Sequence, residues 1–206
     1  MTEVRRSHWD HVYETRAPEE VSWYQPSPER SLALIERAGT GHDAAIIDVG
    51  GGASKLAGSL LDRGFTDVTV LDISENALTR AREQLGAGAE RVRWIVADVT
   101  EAELPRRYDL WHDRAVFHFL VEEADRERYR ALLRASTGPG AHVIVATFAL
   151  DGPERCSGLP VVRYSPEALL EALGPGFSLI ESDAEEHHTP SGAVQRFVYC
   201  RFVRSA

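Results

Sequence analysis

Three aspartates and a run of glycines carry the most legible chemistry in this chain. Ile46-Ile47-Asp48-Val49 is an apolar run holding one acid, and Gly50-Gly51-Gly52-Ala53-Ser54 follows it directly. A strand that empties into consecutive glycines lets a ligand lie against bare backbone, and the start of a following helix favours negative groups. Asp72 stands 24 residues beyond Asp48, at the end of the next apolar run. A carboxylate there can accept from both hydroxyls of a ribose. Asp98 closes the third run. One aspartate at a strand end is an ordinary loop or cap residue. Three at successive strand ends mark the edge where parallel sheets bind ligands. The glycines do not spell G-x-G-x-x-G, which disfavours a nicotinamide dinucleotide.

The elements that must hold these residues alternate along the chain. Apolar runs at Ala44–Val49, Val68–Leu71, Val92–Val96, Tyr108–Trp111 and His142–Phe148 read as buried strands, with amphipathic stretches between them. Ser54 and Ser74 stand where helix caps belong, and Gly86 ends the second of these helices. Glu122–Ala135 places Asp125, Tyr129, Leu132 and Leu133 at helical spacing before Gly138-Pro139-Gly140. Ser165–Leu173 reads as a helix, and Phe177–Ser182 and Ala193–Val203 read as two strands with no helix between them. The pattern predicts a doubly wound α/β fold, its mainly parallel seven-stranded sheet ending in an antiparallel hairpin. Ser27-Pro28 predicts a helix start and Gly39 its end. Before it, Trp9, Tyr13, Trp23 and Tyr24 put two of the four tryptophans and two of the six tyrosines close together. They form either an aromatic clasp on the core or a lid over a ligand.

Composition sets the outer limits. With 206 residues and 43% hydrophobic content, the chain has material for one substantial core, so residues 1–206 are expected to form one domain. Residues 1–40 would be its lid and 41–206 its ligand-binding core. No run approaches the roughly 20 apolar residues of a membrane helix. Met1–Asp10 is polar, unlike a secretory signal. Two cysteines make a disulfide framework implausible and favour a cytoplasmic location. The net charge of −9, with basic residues scattered, argues against a nucleic-acid partner. Lys55 is the sole lysine in the chain.

Asp48-Val49-Gly50-Gly51-Gly52 closely resembles the first motif of the class I methyltransferase superfamily, with Ser54 in place of the commoner final glycine. The resemblance spans about residues 40–206. It implies S-adenosylmethionine as cofactor and an N-terminal helical lid. It assigns Gly50 and Gly52 to the backbone facing the methionine part, Asp72 to the ribose and Ile73 to the adenine face. Asp98 and Val99 would meet the adenine amino group and ring. Tyr13, Trp23, Asp48, Ser54 and Asp113 complete the cofactor set. Tyr108–Arg114 resembles the fourth strand and the turn that faces the reacting end. The segments His8–Tyr13 and Val21–Gln25 are similar to those of small bacterial methyltransferases and of a group of protein-lysine methyltransferases.

Methyl transfer from a sulfonium is an in-line displacement, so a protein mainly positions the acceptor and excludes water. It requires no metal. Arg114, His118 and Cys156 are the candidate catalytic residues, with His112, Trp23, Tyr24 and Tyr164 near them. Arg114 and His118 also have plain readings, as a loop ion pair and a core histidine. Cys156 lies in the turn-rich loop Asp151–Pro160 and would suit a soft acceptor atom such as sulfur, selenium or arsenic, or simply pack. His187-His188 hints at a metal, but adjacent strand residues point to opposite faces. Cys200 alternates into the last strand as core. The expected partner is a small-molecule methyl acceptor. A protein lysine and a non-catalytic cofactor-binding module are the alternatives.

Overall fold

In the computed structural model, residues 2–205 are described. The chain opens with α1 (Thr2–Thr15) and, after a single-turn helix, α2 (Glu29–Ala38). The core then runs β1 (Ala45–Val49), α3 (Leu56–Asp62), β2 (Asp67–Asp72), α4 (Glu75–Leu85) and β3 (Val92–Val96). It continues through β4 (Tyr108–Arg114), α5 (Glu123–Ser136) and β5 (Thr137–Phe148). A short ribbon of β6 (Arg155–Cys156) and β7 (Leu159–Pro160) precedes α6 (Pro166–Leu173). The hairpin β8 (Phe177–His188) and β9 (Val194–Arg204) completes the sheet. Its order is β3-β2-β1-β4-β5-β9-β8, with β1 to β5 mutually parallel and β9 antiparallel to both neighbours. The expected sheet of seven strands, mostly parallel and closed by a hairpin, is the fold observed.

Strand alternation divides the core between the two faces. Ala45, Ile47 and Val49 pack with Tyr129, Leu133, Leu169 and Leu173 on the face covered by α5 and α6. Ile46 packs with Leu34, Ile35, Leu60 and Leu78 beneath α2, α3 and α4. Full burial of one such aliphatic side chain stabilises by about 1.5–3 kcal/mol, so each face anchors its helices. Because Asp48 pairs in register with His112, and Val49 with Asp113, the strands send His112 to the α2 face and Asp113 to the α5 face.

Ser74 and Ser165 cap α4 and α6, accepting from Ala77 N at 3.1 Å and Ala168 N at 3.2 Å. The Ser54 hydroxyl accepts from Leu56 N at 3.0 Å, at the head of α3. Gly39 ends α2 in the left-handed conformation, φ 69°. Three local expectations are corrected. Ser27 bonds the Glu29 carboxylate instead of capping α2, whose first residue follows Pro28. The strand expected over His142–Phe148 begins five residues earlier, at Thr137, and runs through Gly138-Pro139-Gly140. β8 continues six residues past Ser182, to His188.

Candidate active site

At the carboxyl edge of the parallel strands, two adjoining clefts open beneath α1 and the loop that follows it. One, open to solvent along one side, spans about 800 Å³ and runs from the glycine turn past Asp72 to Asp98. The other, of about 630 Å³, lies over Asp48, His112 and the start of α3. Tyr13, Trp23, Gly50 and Arg114 line both and form the partition between them. Gly50 and Gly52 have φ of 67° and 48°, and a side chain on either would collide, with Val116 and with the Tyr13 hydroxyl respectively. The turn is therefore bare because helix α1 and the segment after β4 press against it.

Asp72 is buried in the larger cleft, and its Oδ1 accepts from Ser74 N at 2.8 Å. Burial pushes its carboxyl up to about 7, against the backbone donors of Ser74 and Gly52. Ile73 and Val99 line the same cleft. Asp98 is bonded on both oxygens: Thr100 N and Oγ1 donate to Oδ1 at 2.9 and 2.7 Å, and Thr2 Oγ1 donates to Oδ2 at 3.1 Å. Burial opposes its ionised form, yet these donors and the Arg5 guanidinium hold the carboxyl below its ordinary value. Arg5 also pairs with the buried Asp125 of α5, and the Ser74 hydroxyl donates to Asp10 at 2.6 Å. Helix α1 is thereby pinned across the cleft at both ends.

The smaller cleft has a polar floor. His112 Nδ1 lies 2.7 Å from Asp48 Oδ1, and its Nε2 lies 2.9 Å from Ser31 Oγ of α2. All three residues are buried. At the partition, Arg114 Nε donates to Tyr199 Oη at 2.7 Å and Nη1 to the Trp23 carbonyl at 3.1 Å. The Tyr199 hydroxyl donates in turn to Glu185 at 2.9 Å. The guanidinium also sits over the Phe197 ring, 4.5 Å from its centroid. Ala115, next along, holds a φ of 69°, uncommon for a residue with a side chain and costing energy at the rim of a site. Trp9 meets Trp23 and Phe119 edge to face, with ring centroids 5.7 and 5.1 Å apart.

Among the solved structures that this chain resembles, one determined for the conversion of a disulfide bond into a thioacetal group during echinomycin biosynthesis superimposes with a TM-score of 0.78. It is 22% identical and covers 98% of this chain and 92% of its own. Residues 46–140, from β1 into β5, match the model of a methyltransferase domain. The chain is an S-adenosylmethionine-dependent methyltransferase and resembles the class I superfamily. Its similarity extends to the methyltransferase srdJ of Neurospora crassa, 26% identical over 186 residues, covering 83% of this chain and 78% of that protein. It is 25% identical over 190 residues to the EEF1A lysine methyltransferase 2 of Danio rerio, covering 85% and 76%. S-Adenosylmethionine is the methyltransferase's cofactor. The residues present suit it, because the bare backbone at Gly50 and the buried carboxylate of Asp72 border one continuous cleft.

Not every residue singled out in the sequence reaches that cleft. Asp113 is turned to the α5 face, where Tyr129 Oη donates to it at 2.8 Å and the Val116 and Phe117 amides bond its other oxygen. His118 is buried in the core, where it accepts from Phe148 N at 3.3 Å. Burial, with Arg114 nearby, pushes its pKa down to about 3, so it is neutral at pH 7. Cys156 does line the larger cleft, with Sγ 4.0 Å from Ser22 Oγ. Burial pushes its thiol up to about 11, which keeps it protonated. His187 points inward to the Ser22 carbonyl at 2.7 Å while His188 faces solvent, and among the described residues no cluster of three metal-ligating side chains exists. Thr2, Arg5, Ser31, Glu185 and Tyr199 escaped the sequence reading. For Ser31 a signal existed: it shares the buried face of α2 with Leu32, Leu34 and Ile35, where a serine needs a partner.

Proposed function

We propose that this methyltransferase acts on a small-molecule acceptor, with a soft atom such as a thiol or selenol sulfur or selenium, or arsenic, as the nucleophile. The observation that carries this reading is the closure of the acceptor end. The loop over the partition is tied down by Arg114 at the Trp23 carbonyl, by His187 at the Ser22 carbonyl and by Gln25 to Glu185 at 3.2 Å. That roof covers the partition, where a compact acceptor would sit against Trp23 and Arg114, which line both clefts, with Cys156 on the side of the larger one. The relative solved for a disulfide-to-thioacetal conversion works on sulfur, which supports a soft acceptor here.

When bound, S-adenosylmethionine supplies an activated methyl group on a sulfonium. In this reading Asp72 accepts from the ribose hydroxyls, Ile73 and Val99 flank the adenine, and Asp98 faces its amino group. Gly50 and Gly52 admit the methionine part, with Asp48 below, Ser54 at the rim and Tyr13 and Trp23 above. Asp113 acts through the rim, since two backbone amides of the segment after β4 bond its carboxylate. Arg114 fixes the acceptor wall, and the protonated Cys156 contacts the acceptor without attacking it. His118 positions the strand edge behind that wall through Phe148.

Protein-lysine methylation is the second reading, favoured by the Danio rerio relative's similarity over most of both chains. Methyl-labelled S-adenosylmethionine, incubated with the enzyme and a cell lysate, separates the two. Label in the low-molecular-weight fraction is expected; label confined to protein would overturn the small-molecule reading.

A further inference from the structure

Ser31, His112 and Asp48 form a buried chain whose geometry fits the removal of a proton. The in-register pairing of β1 and β4 sets the Asp48 and His112 side chains side by side on the α2 face, and the first turn of α2 lowers Ser31 onto the far ring nitrogen. At 2.7 Å the carboxylate accepts from His112 Nδ1–H, which fixes the tautomer and leaves Nε2 to accept from the Ser31 hydroxyl at 2.9 Å. A base within hydrogen-bond reach of a hydroxyl, and itself oriented by a carboxylate, is the arrangement by which proteins activate a hydroxyl or accept its proton. All three side chains border the smaller cleft, which meets the cofactor cleft at Tyr13, Trp23, Gly50 and Arg114. Other charged groups near His112 are few. Asp113 and Arg114 follow it in β4, and Lys55 stands at the cleft's lip. The β5 residue in register with it is the apolar Ile144.

We propose that His112, working through Ser31 and braced by Asp48, takes the proton from an acceptor whose nucleophilic atom arrives protonated, as a thiol, phenol or acidic N–H. This deepens the small-molecule reading above and rests on it. As the acceptor's electron pair forms the bond to the methyl carbon, the carbon–sulfur pair returns to sulfur and the sulfonium becomes a neutral thioether. The acceptor's proton passes to the Ser31 oxygen while the Ser31 proton passes to His112 Nε2. The imidazolium so formed is held by Asp48. Charge is conserved, since the positive charge lost from the sulfonium appears on His112. Ser31 and His112 are thus a proton path, and an acceptor with no proton to lose would not need them.

The test compares wild type with Ser31→Ala, Ser31→Thr and His112→Asn, the last keeping a donor towards Asp48 while removing Nε2. The probes are 2-mercaptoethanol and phenol, protonated at pH 7, and iodide, which carries no proton. Label transfer from S-adenosylmethionine is followed across pH 6–9, and S-adenosylhomocysteine affinity is measured by calorimetry. Wild type is expected to methylate at least one protonated probe. Ser31→Ala and His112→Asn should slow that transfer at least a hundredfold at pH 7 and make it rise with pH as the probe ionises. Iodide methylation and S-adenosylhomocysteine affinity should stay within threefold, and Ser31→Thr should restore most of the rate. A tenfold or greater loss of S-adenosylhomocysteine affinity in either variant would overturn the proposal, because the chain would then be seating the cofactor. Equal losses with iodide and thiol, or variants as active as wild type, would also overturn it while leaving the small-molecule reading intact. Wild-type label in lysate protein and in none of the probes would overturn both.

Discussion

The two ends of the cleft are built by different means. At the glycine-turn end every contributor follows directly on a strand: Gly50 to Ser54 after β1, Asp72 and Ile73 at β2, Asp98 and Val99 after β3. At the hairpin end the wall is assembled from Arg114 on β4, Cys156 on β6, Glu185 on β8, Tyr199 on β9 and the backbone of the loop at Trp23. The first end is written in short local motifs. The second depends on how remote segments pack. Substitutions at the hairpin end can therefore change the acceptor while the cofactor end stays intact, and the expectations below test that separation.

Gly52→Val should strike the glycine-turn end hardest. The residue's φ of 48° and the Tyr13 hydroxyl 2.5 Å from its would-be Cβ leave no room for a branched side chain. S-Adenosylhomocysteine affinity should fall at least a hundredfold, roughly 2.7 kcal/mol, in calorimetry on the folded variant. Retention within tenfold would move the cofactor away from this turn. Asp72→Ala should cost about 1–3 kcal/mol of the same affinity by stripping an acceptor from two hydroxyl donors. Unchanged affinity there would remove Asp72 from the site.

Cys156→Ser addresses the hairpin end alone. Methylation of thiol, selenol or arsenical acceptors should drop about tenfold, roughly 1.4 kcal/mol, with S-adenosylhomocysteine affinity and melting temperature unchanged. Cys200→Ser, buried in β9, should chiefly lower the melting temperature. Equal activity of wild type and Cys156→Ser across the panel would reduce Cys156 to packing.

The most gradual effect, spread over several pH units, is on stability. Burial raises Asp72 to about 7 in the folded protein from an ordinary 3.8, so the folded state holds that proton over a range where the unfolded chain has lost it. Stability of the ligand-free protein should therefore fall as pH rises from about 4 towards 7 and then level off. Asp113, raised by burial to about 6, adds to the same slope. Melting curves of wild type and Asp72→Asn at pH 5, 6, 7 and 8 check this, and the variant should show the shallower dependence. Parallel curves would show that Asp72 is not the group responsible.

What could be read in the sequence follows the same division. Strands β1 to β5 and the caps at Ser74 and Ser165 announce themselves because apolar runs and capping serines are local signals. The outer half of β8 gave no such signal. From Asp183 to His188 its residues are, Ala184 apart, polar on both faces, one side meeting Arg30 of α2 and the Ser22 carbonyl, the other solvent. A strand that buries hydrogen bonds instead of methyl groups lacks the apolar alternation by which strands are recognised. Asp113 is hard to place in the sequence for a related reason, whereas His118, in the single turn Phe117–Phe119, takes the core reading already open to it. A polar residue beside a glycine-rich edge looks exposed to a ligand until the strand's alternation assigns it a face.

The roof over the cleft also bears on the order in which the molecule comes together. Arg5 pairs with a partner 120 residues further on, and the Ser22 carbonyl with one 165 residues further on. Synthesis delivers α1 and its loop well before their anchors on α5 and β8. Closing such long loops is slow, and a folding domain makes its local contacts sooner. Helix α1 and the loop after it should therefore be the last parts to acquire native protection in a refolding experiment read by hydrogen exchange. Until β8 has paired with β9, a nascent chain would carry its glycine turn and three aspartates without the whole of the cover that roofs them.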